Sequence, residues 1–141
     1  MSLSIIERHY EIFGNDFQLA GEASSNVKKT LIQLGISPDI IKKAAIAMYE
    51  AEMNAVIHAN GGTADVKIEQ SNIIIIIKDE GPGIPDIDLA MKEGYSTASD
   101  AIRSMGFGAG MGLPNMKRYS DNLKIESCLG EGTTVMLQIN L

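Results

Sequence analysis

Residues 73–83 carry the sequence IIIIIKDEGPG, in which five consecutive isoleucines precede a lysine, an acidic pair and two glycines separated by a proline. An apolar run of this length bounded by turn residues indicates a core strand, and we expect it to be buried on both faces. Asp79 follows this strand, where a carboxylate can accept a hydrogen bond from an exocyclic amine, and Gly81 and Gly83 let a flat ring approach the backbone. Alone, the pattern is equally typical of an ordinary turn.

The segments around this strand predict an α/β fold. Ser37, Pro38 and Asp39 combine a helix cap, a proline in the first turn and an acidic residue, and the helix should continue to about His58. Further strands are predicted at 5–12, 65–70, 122–128 and 133–140, and helices at 16–34, 87–92 and 111–120. Residues 79–112 are predicted to form a long functional loop, or lid. We therefore expect a two-layer α/β sandwich with helices covering one face of a mixed sheet.

Composition limits the function. The chain has 141 residues, which suits one domain over 1–141, and a formal net charge of −6, which argues against a nucleic-acid partner. It has no apolar run of membrane-spanning length, so we expect no membrane partner and a cytoplasmic location. Cys128 is the only cysteine, which excludes an intramolecular disulfide and a cysteine-based zinc cluster. An acidic protein that binds a polyphosphate needs a divalent cation or backbone N–H groups at the site.

A polar stripe runs along the long predicted helix. Glu50, Asn54 and His58 are spaced i, i+4, i+8 and lie at the edge of the helix's apolar arc, whereas Glu52 points away. Such a stripe is ordinarily a solvated helix flank. It suggests a site only if other functional residues meet it.

Two glycine clusters follow later in the chain. The first opens a helix, where free N–H groups and the helix dipole favour an anion; it consists of Gly108, Ala109, Gly110, Met111, Gly112 and Leu113. Its spacing is G-x-G-x-G and no strand directly precedes it, so it is not a dinucleotide-binding fingerprint. The second cluster, Gly130 to Gly132 followed by Thr133, would by itself be only a hairpin turn.

In their order and spacing, these four elements resemble the N, G1, G2 and terminal G boxes of the GHKL superfamily, which has the Bergerat fold and includes gyrase, Hsp90, MutL and histidine kinases. The resemblance covers about residues 40–140. It implies that Asp79 binds the adenine amino group of ATP, that Gly83 approaches the ring, and that Thr133 supports Asp79 through a water or the base. It also implies that Asn54 ligates Mg²⁺ and that Gly108, Gly110 and Gly112 wrap the phosphates.

Within the superfamily, the chain looks like the small bacterial anti-sigma serine/threonine kinases. That resemblance implies ATP-dependent phosphorylation of a STAS-domain anti-anti-sigma protein, with Glu50 as general base, binding of a sigma factor or another regulator, and a homodimer as one possibility. Some relatives have an arginine close before the second glycine box, whereas Arg103 lies seven residues before Gly110.

Other functions stay open from the sequence. A nucleotide-gated module that binds a sigma factor with little kinase activity and a detached histidine-kinase catalytic domain are the alternatives. Glu50 could also activate water, which would give a plain ATPase.

Overall fold

A computed structural model of the protein describes residues 5–14, 16, 18–59, 61–84, 87–92 and 112–141. The helices in this part of the chain are α1 Glu22–Gln33, α2 Pro38–His58, α3 Ile87–Ala90 and α4 Gly112–Tyr119. The strands are β1 Ile6–Phe13, β2 Gly61–Ile68, β3 Asn72–Asp79, β4 Asn122–Cys128 and β5 Gly132–Asn140. Within the described ranges, no helix has both the length and the apolar character needed to cross a bilayer.

The five strands form one sheet in the order β1-β2-β3-β5-β4, with the isoleucine strand β3 at its centre. All four neighbouring pairs are antiparallel. The expected α/β sandwich is confirmed, but the mixed sheet is corrected to an antiparallel one. A mixed sheet needs at least one parallel pair of neighbouring strands. Strands β3 and β4 run in the same direction, but β5 lies between them and is antiparallel to both.

The helices cover one face of this sheet. Helix α2 lies over the middle, in contact with β3 and β5, while α1 packs beside it on the β1 side and α4 on the β4 side. Alternate residues of each strand point toward the helices, so Ile73, Ile75 and Ile77 are at most 1% exposed. Ile74 and Ile76 point to the other face and are only half-buried, which corrects the expectation of burial on both faces.

Two predicted boundaries moved for local reasons. Helix α1 begins at Glu22 rather than at 16, because the Asp16 carboxylate accepts the backbone N–H groups of Gln18 and Leu19 at 3.2 and 3.3 Å in a turn. Strand β2 begins at Gly61, four residues earlier than expected, because Gly61 and Gly62 already pair with β1. Helix α2 has already ended at His58, so these glycines start a strand.

Helix α1 is fixed to α2 by a buried carboxylate. Glu52 is 3% exposed, and its two oxygens accept the backbone N–H groups of Gly21, Ala23 and Ser24 at 3.0 to 3.2 Å. These donors belong to the first turn of α1, whose N–H groups have no partner within their own helix. Glu52 thus points away from the polar stripe, as the helix geometry predicts, and caps a neighbouring helix.

Candidate functional site

The predicted site residues from the strands and from the C-terminal part of α2 meet at one end of the sheet. Strand β3 ends at Asp79, which pairs with Gly62 at the start of β2, while β5 begins and β4 ends at the same level. We call this end, where Asp79, Cys128 and Gly132 lie, the site end. Antiparallel connections bring the first glycine box and the terminal glycine box together here, although about fifty residues separate them in the sequence.

Asp79 is half-buried at the site end, and its carboxylate is fixed in orientation. Oδ1 accepts the backbone N–H of Gly81 at 2.9 Å and that of Thr133 at 3.1 Å. The first bond closes the turn that follows β3, and the second ties β3 to β5. Both donors bind Oδ1, so this oxygen faces the backbone. The second carboxylate oxygen of Asp79 binds neither donor.

Thr133 contacts Asp79 through its backbone N–H, while support through a water or the base stays a prediction. The hydroxyl of Thr133 instead lies 2.9 Å from the hydroxyl of Ser127, its partner on β4. Ser127 Oγ also accepts the backbone N–H of Ile84 at 2.7 Å. Sequence analysis missed Ser127, although strand alternation and the register opposite Thr133 place it on the inner face.

Two glycines allow the loop after β3 to pack against the β4–β5 hairpin. Gly83 has φ +83°, and a Cβ there would lie 2.6 Å from the carbonyl oxygen of Cys128. Gly132 has φ +131°, and a Cβ there would collide with the carbonyl of Asp79. Both positions therefore require glycine for conformation and for space.

The polar stripe of α2 faces the start of helix α4. The Glu50 Oε2 atom lies 3.5 Å from where a Cβ of Gly112 would be, and Gly112 is the first residue of α4. Glu50 and Asn54 are half-buried, and desolvation raises the pKa of Glu50 above its ordinary value. Leu113 packs in the core and anchors this helix start beside α2.

His58 ends the stripe next to Asp79. Burial lowers the pKa of His58, and the negative charge of Asp79 partly opposes that shift. This interaction shows that the C-terminal end of α2 and the end of β3 share one electrostatic environment. The C-terminal end of the stripe and the strand-end carboxylate predicted from the sequence are therefore neighbours.

A cleft opens at the site end, where Asp79, Ser127 and Thr133 line it, and extends to the face of the sheet that the helices leave uncovered. It has a volume of about 850 Å³, and its wall carries Glu11, Glu80, Glu126 and Glu131 with one cation, Lys78. Glu11, Lys78 and Glu126 point to the face of the sheet that the helices leave uncovered. The carboxylates of this wall repel a polyphosphate, so we assign no phosphate group to that side of the cleft, whereas Asp79 and Thr133 stay candidates for binding a base.

Part of the predicted phosphate-binding segment lies outside the described residues. This applies to Gly108, Ala109, Gly110 and Met111, to Arg103, and to most of the predicted lid; Gly112 and Leu113 are described. Among the residues that the structure does describe, no group of three or more histidine, cysteine or acidic side chains could hold a metal ion. That is compatible with Mg²⁺, which usually keeps several waters and takes few protein ligands beside substrate phosphates.

Two proteins of known name are similar to this chain over most of its length. The serine/threonine-protein kinase RsbT of Bacillus subtilis is 33% identical over 126 residues, 85% of each chain. The anti-sigma F factor of Clostridium acetobutylicum is 36% identical over 103 residues, 70% of this chain and 68% of that one.

A solved structure shares the fold. The crystal structure of the RsbU and RsbW domains of a Mycobacterium tuberculosis protein superposes with a TM-score of 0.64 at 16% identity. The match covers 95% of this chain, which spans about a third of that longer one. Residues 39–141 match the family described as histidine kinase-, DNA gyrase B- and HSP90-like ATPases. The order of the four sequence boxes, the fold and these matches agree, and the chain belongs to that ATPase family.

Proposed function

We propose that the protein is an ATP-dependent serine/threonine kinase of the anti-sigma type, which phosphorylates a hydroxyl on a STAS-domain anti-anti-sigma protein. The observation that carries this proposal is the position of Glu50, a half-buried carboxylate of raised pKa that faces the N-terminus of α4 one helical turn before Asn54. The names of the similar proteins, a serine/threonine kinase and an anti-sigma factor, support the same class of reaction and partner.

The base of ATP would bind at Asp79. Its Oδ1 is held by two backbone N–H groups, so the other oxygen is the one that would accept a hydrogen bond from the adenine amino group. Gly81 packs against Ala59 and Gly83 against the Cys128 carbonyl, which holds the loop close to the carboxylate, and Gly83 is proposed to approach the ring. Thr133 lies next to the carboxylate and completes the proposed base pocket.

The phosphates would extend from Asp79 toward the N-terminus of α4. The backbone N–H groups of Gly108, Ala109, Gly110, Met111, Gly112 and Leu113 are proposed to bind them, helped by the dipole of that helix. Asn54 would hold Mg²⁺ through its amide oxygen, together with phosphate oxygens. The bound ion would neutralise the phosphate charge near Glu50, which an acidic protein needs.

Glu50 would act as the general base for transfer. The hydroxyl oxygen of the substrate serine or threonine attacks the γ-phosphorus, the bond from that phosphorus to the β–γ bridging oxygen breaks, and ADP leaves. The hydroxyl proton passes to Glu50, whose basicity is increased by its partial burial. In this proposal Glu50 would accept the proton beside the terminal phosphate.

The test compares Glu50→Gln with Asn54→Ala. Glu50→Gln keeps the size of the side chain but removes its basic oxygen, so ATP affinity should stay near wild type while single-turnover transfer to a STAS-domain serine falls roughly 10²- to 10⁴-fold. Asn54→Ala should weaken ATP affinity and transfer together, because it removes the proposed Mg²⁺ ligand. The exposed Glu7→Gln is the control and should change neither quantity.

The pH dependence gives a second readout. Because the pKa of Glu50 is raised, wild-type transfer should decline on acidification at a higher pH than an ordinary glutamate would give. Wild-type transfer rates in Glu50→Gln would refute the kinase role of this residue. If ATP binds and a sigma factor is retained without transfer, the nucleotide-gated binding module is the better interpretation.

A further inference from the structure

Two strands and a loop meet at the hydroxyl of Ser127. This oxygen accepts the Ile84 N–H at 2.7 Å, lies 2.9 Å from Thr133 Oγ1, and lies 3.4 Å from the carbonyl oxygen of Gly132. Thr133 in turn donates its backbone N–H to Asp79. Ser127 therefore connects the loop after β3 to the residue that orients the strand-end carboxylate.

The direction of these hydrogen bonds follows from counting protons. A serine hydroxyl has one proton and two lone pairs, and in Ser127 one lone pair is used by the Ile84 N–H. Its single proton can go to Thr133 or to the carbonyl of Gly132, and the latter distance is at the long limit for a hydroxyl donor. The proton of Ser127 is thus best placed on Thr133 Oγ1, and the proton of Thr133 must then point elsewhere.

We propose that Ser127 is a positioning residue for base selection, because it makes the Thr133 hydroxyl a donor toward the ligand. This inference rests on the proposed ATP site at Asp79. The pocket would then present a carboxylate acceptor from Asp79 beside a hydroxyl donor from Thr133, whose residue is only 6% exposed. Without Ser127, the Thr133 hydroxyl could rotate and either donate or accept.

Adenine is complementary to an acceptor from Asp79 beside a donor from Thr133, and guanine is not. The adenine edge carries an amino donor next to a ring nitrogen acceptor, whereas guanine carries a carbonyl acceptor next to a ring N–H donor. Guanine would therefore place an acceptor against Asp79 and a donor against a hydroxyl that already donates. A site with fixed polar groups rejects a mismatched ligand strongly, because buried groups are left unpaired.

The test measures the dissociation constants of ATP, GTP and inorganic tripolyphosphate for wild type and for Ser127→Ala. We expect Ser127→Ala to lower ATP affinity about tenfold, to change GTP affinity much less, and to leave tripolyphosphate affinity unchanged, because the last ligand has no base. Ser127→Thr keeps the hydroxyl and should retain the wild-type ATP-to-GTP ratio. Thr134→Ala removes a hydroxyl from the opposite face of the neighbouring strand and should also retain it.

Ser127→Cys keeps the shape but replaces a good hydrogen-bonding group with a poor one, so it should shift the ratio in the same direction even if the alanine variant unfolds. An unchanged ATP-to-GTP ratio in Ser127→Cys and in folded Ser127→Ala would overturn the inference. So would an equal loss of affinity for ATP, GTP and tripolyphosphate. Failure of the proposed function looks different, since the wild-type protein would then not bind ATP.

Discussion

At the scale of single residues, two glutamates that are two residues apart, and so on different sides of α2, have different roles because they face different environments. Glu50 is half-buried at the start of α4, where burial raises its pKa, and is a candidate base. Glu52 is almost fully buried but accepts three backbone N–H groups, which replace the water that a carboxylate loses on burial. The sequence separates these roles by helix geometry, but it does not reveal which N–H groups Glu52 binds.

Glu52→Ala should lower the free energy of unfolding. The variant removes charge-assisted hydrogen bonds and leaves the first-turn N–H groups of α1 without their acceptor, which costs about 2 to 3 kcal/mol. Glu22→Ala in the same turn is a matched control, because Glu22 is exposed and its interaction with the helix dipole is worth at most about 1 kcal/mol. Chemical denaturation measures both, and equal losses would contradict the capping role of Glu52.

At the scale of elements, the site depends on the docking of one loop against one hairpin. The loop after β3 contacts the β4–β5 hairpin through the close approach of Gly83 and through a 2.9 Å hydrogen bond from the Gly130 N–H to the Pro82 carbonyl. Helix α2 was predicted with its observed start and end, because Ser37, Pro38 and Asp39 mark its beginning. The role of Ser127 was not predictable, since one serine in a strand forms no motif.

Gly132→Ala should disrupt this docking, and Gly130→Ala should not. A methyl group at Gly132 would collide with the carbonyl of Asp79, so the variant must separate β3 from β5 and should lose both stability and ATP affinity. Gly130 also has positive φ, but a Cβ there meets nothing within 4 Å, so its cost is limited to about 1 to 2 kcal/mol of backbone strain. Thermal unfolding together with ATP titration compares them, and similar behaviour of the two variants would argue against the docking.

At the scale of the whole molecule, the topology brings together the first and terminal glycine boxes, which are distant in the sequence. Both boxes could be recognised before their geometry was known. Each of these two boxes follows from a local signal, but their contact depends on a sheet order in which β5 inserts between β3 and β4. That insertion also made the mixed-sheet prediction wrong, because strand order is a long-range property that local periodicity does not encode. The single-domain organisation over 1–141 stays a prediction. So does phosphate binding by the glycine cluster from Gly108 to Leu113.

The most direct test of the account is an equilibrium titration of ATP, in the presence of Mg²⁺, against wild type and Asp79→Asn. The two backbone N–H groups on Oδ1 require an acceptor there, so the new amide must place its NH₂ group at the other position, against the adenine amine. Asp65→Asn, on the uncovered face of β2, is the control and should bind like wild type. We predict that Asp79→Asn weakens ATP binding roughly 10- to 100-fold or more. Wild-type affinity in Asp79→Asn would contradict the placement of the adenine pocket.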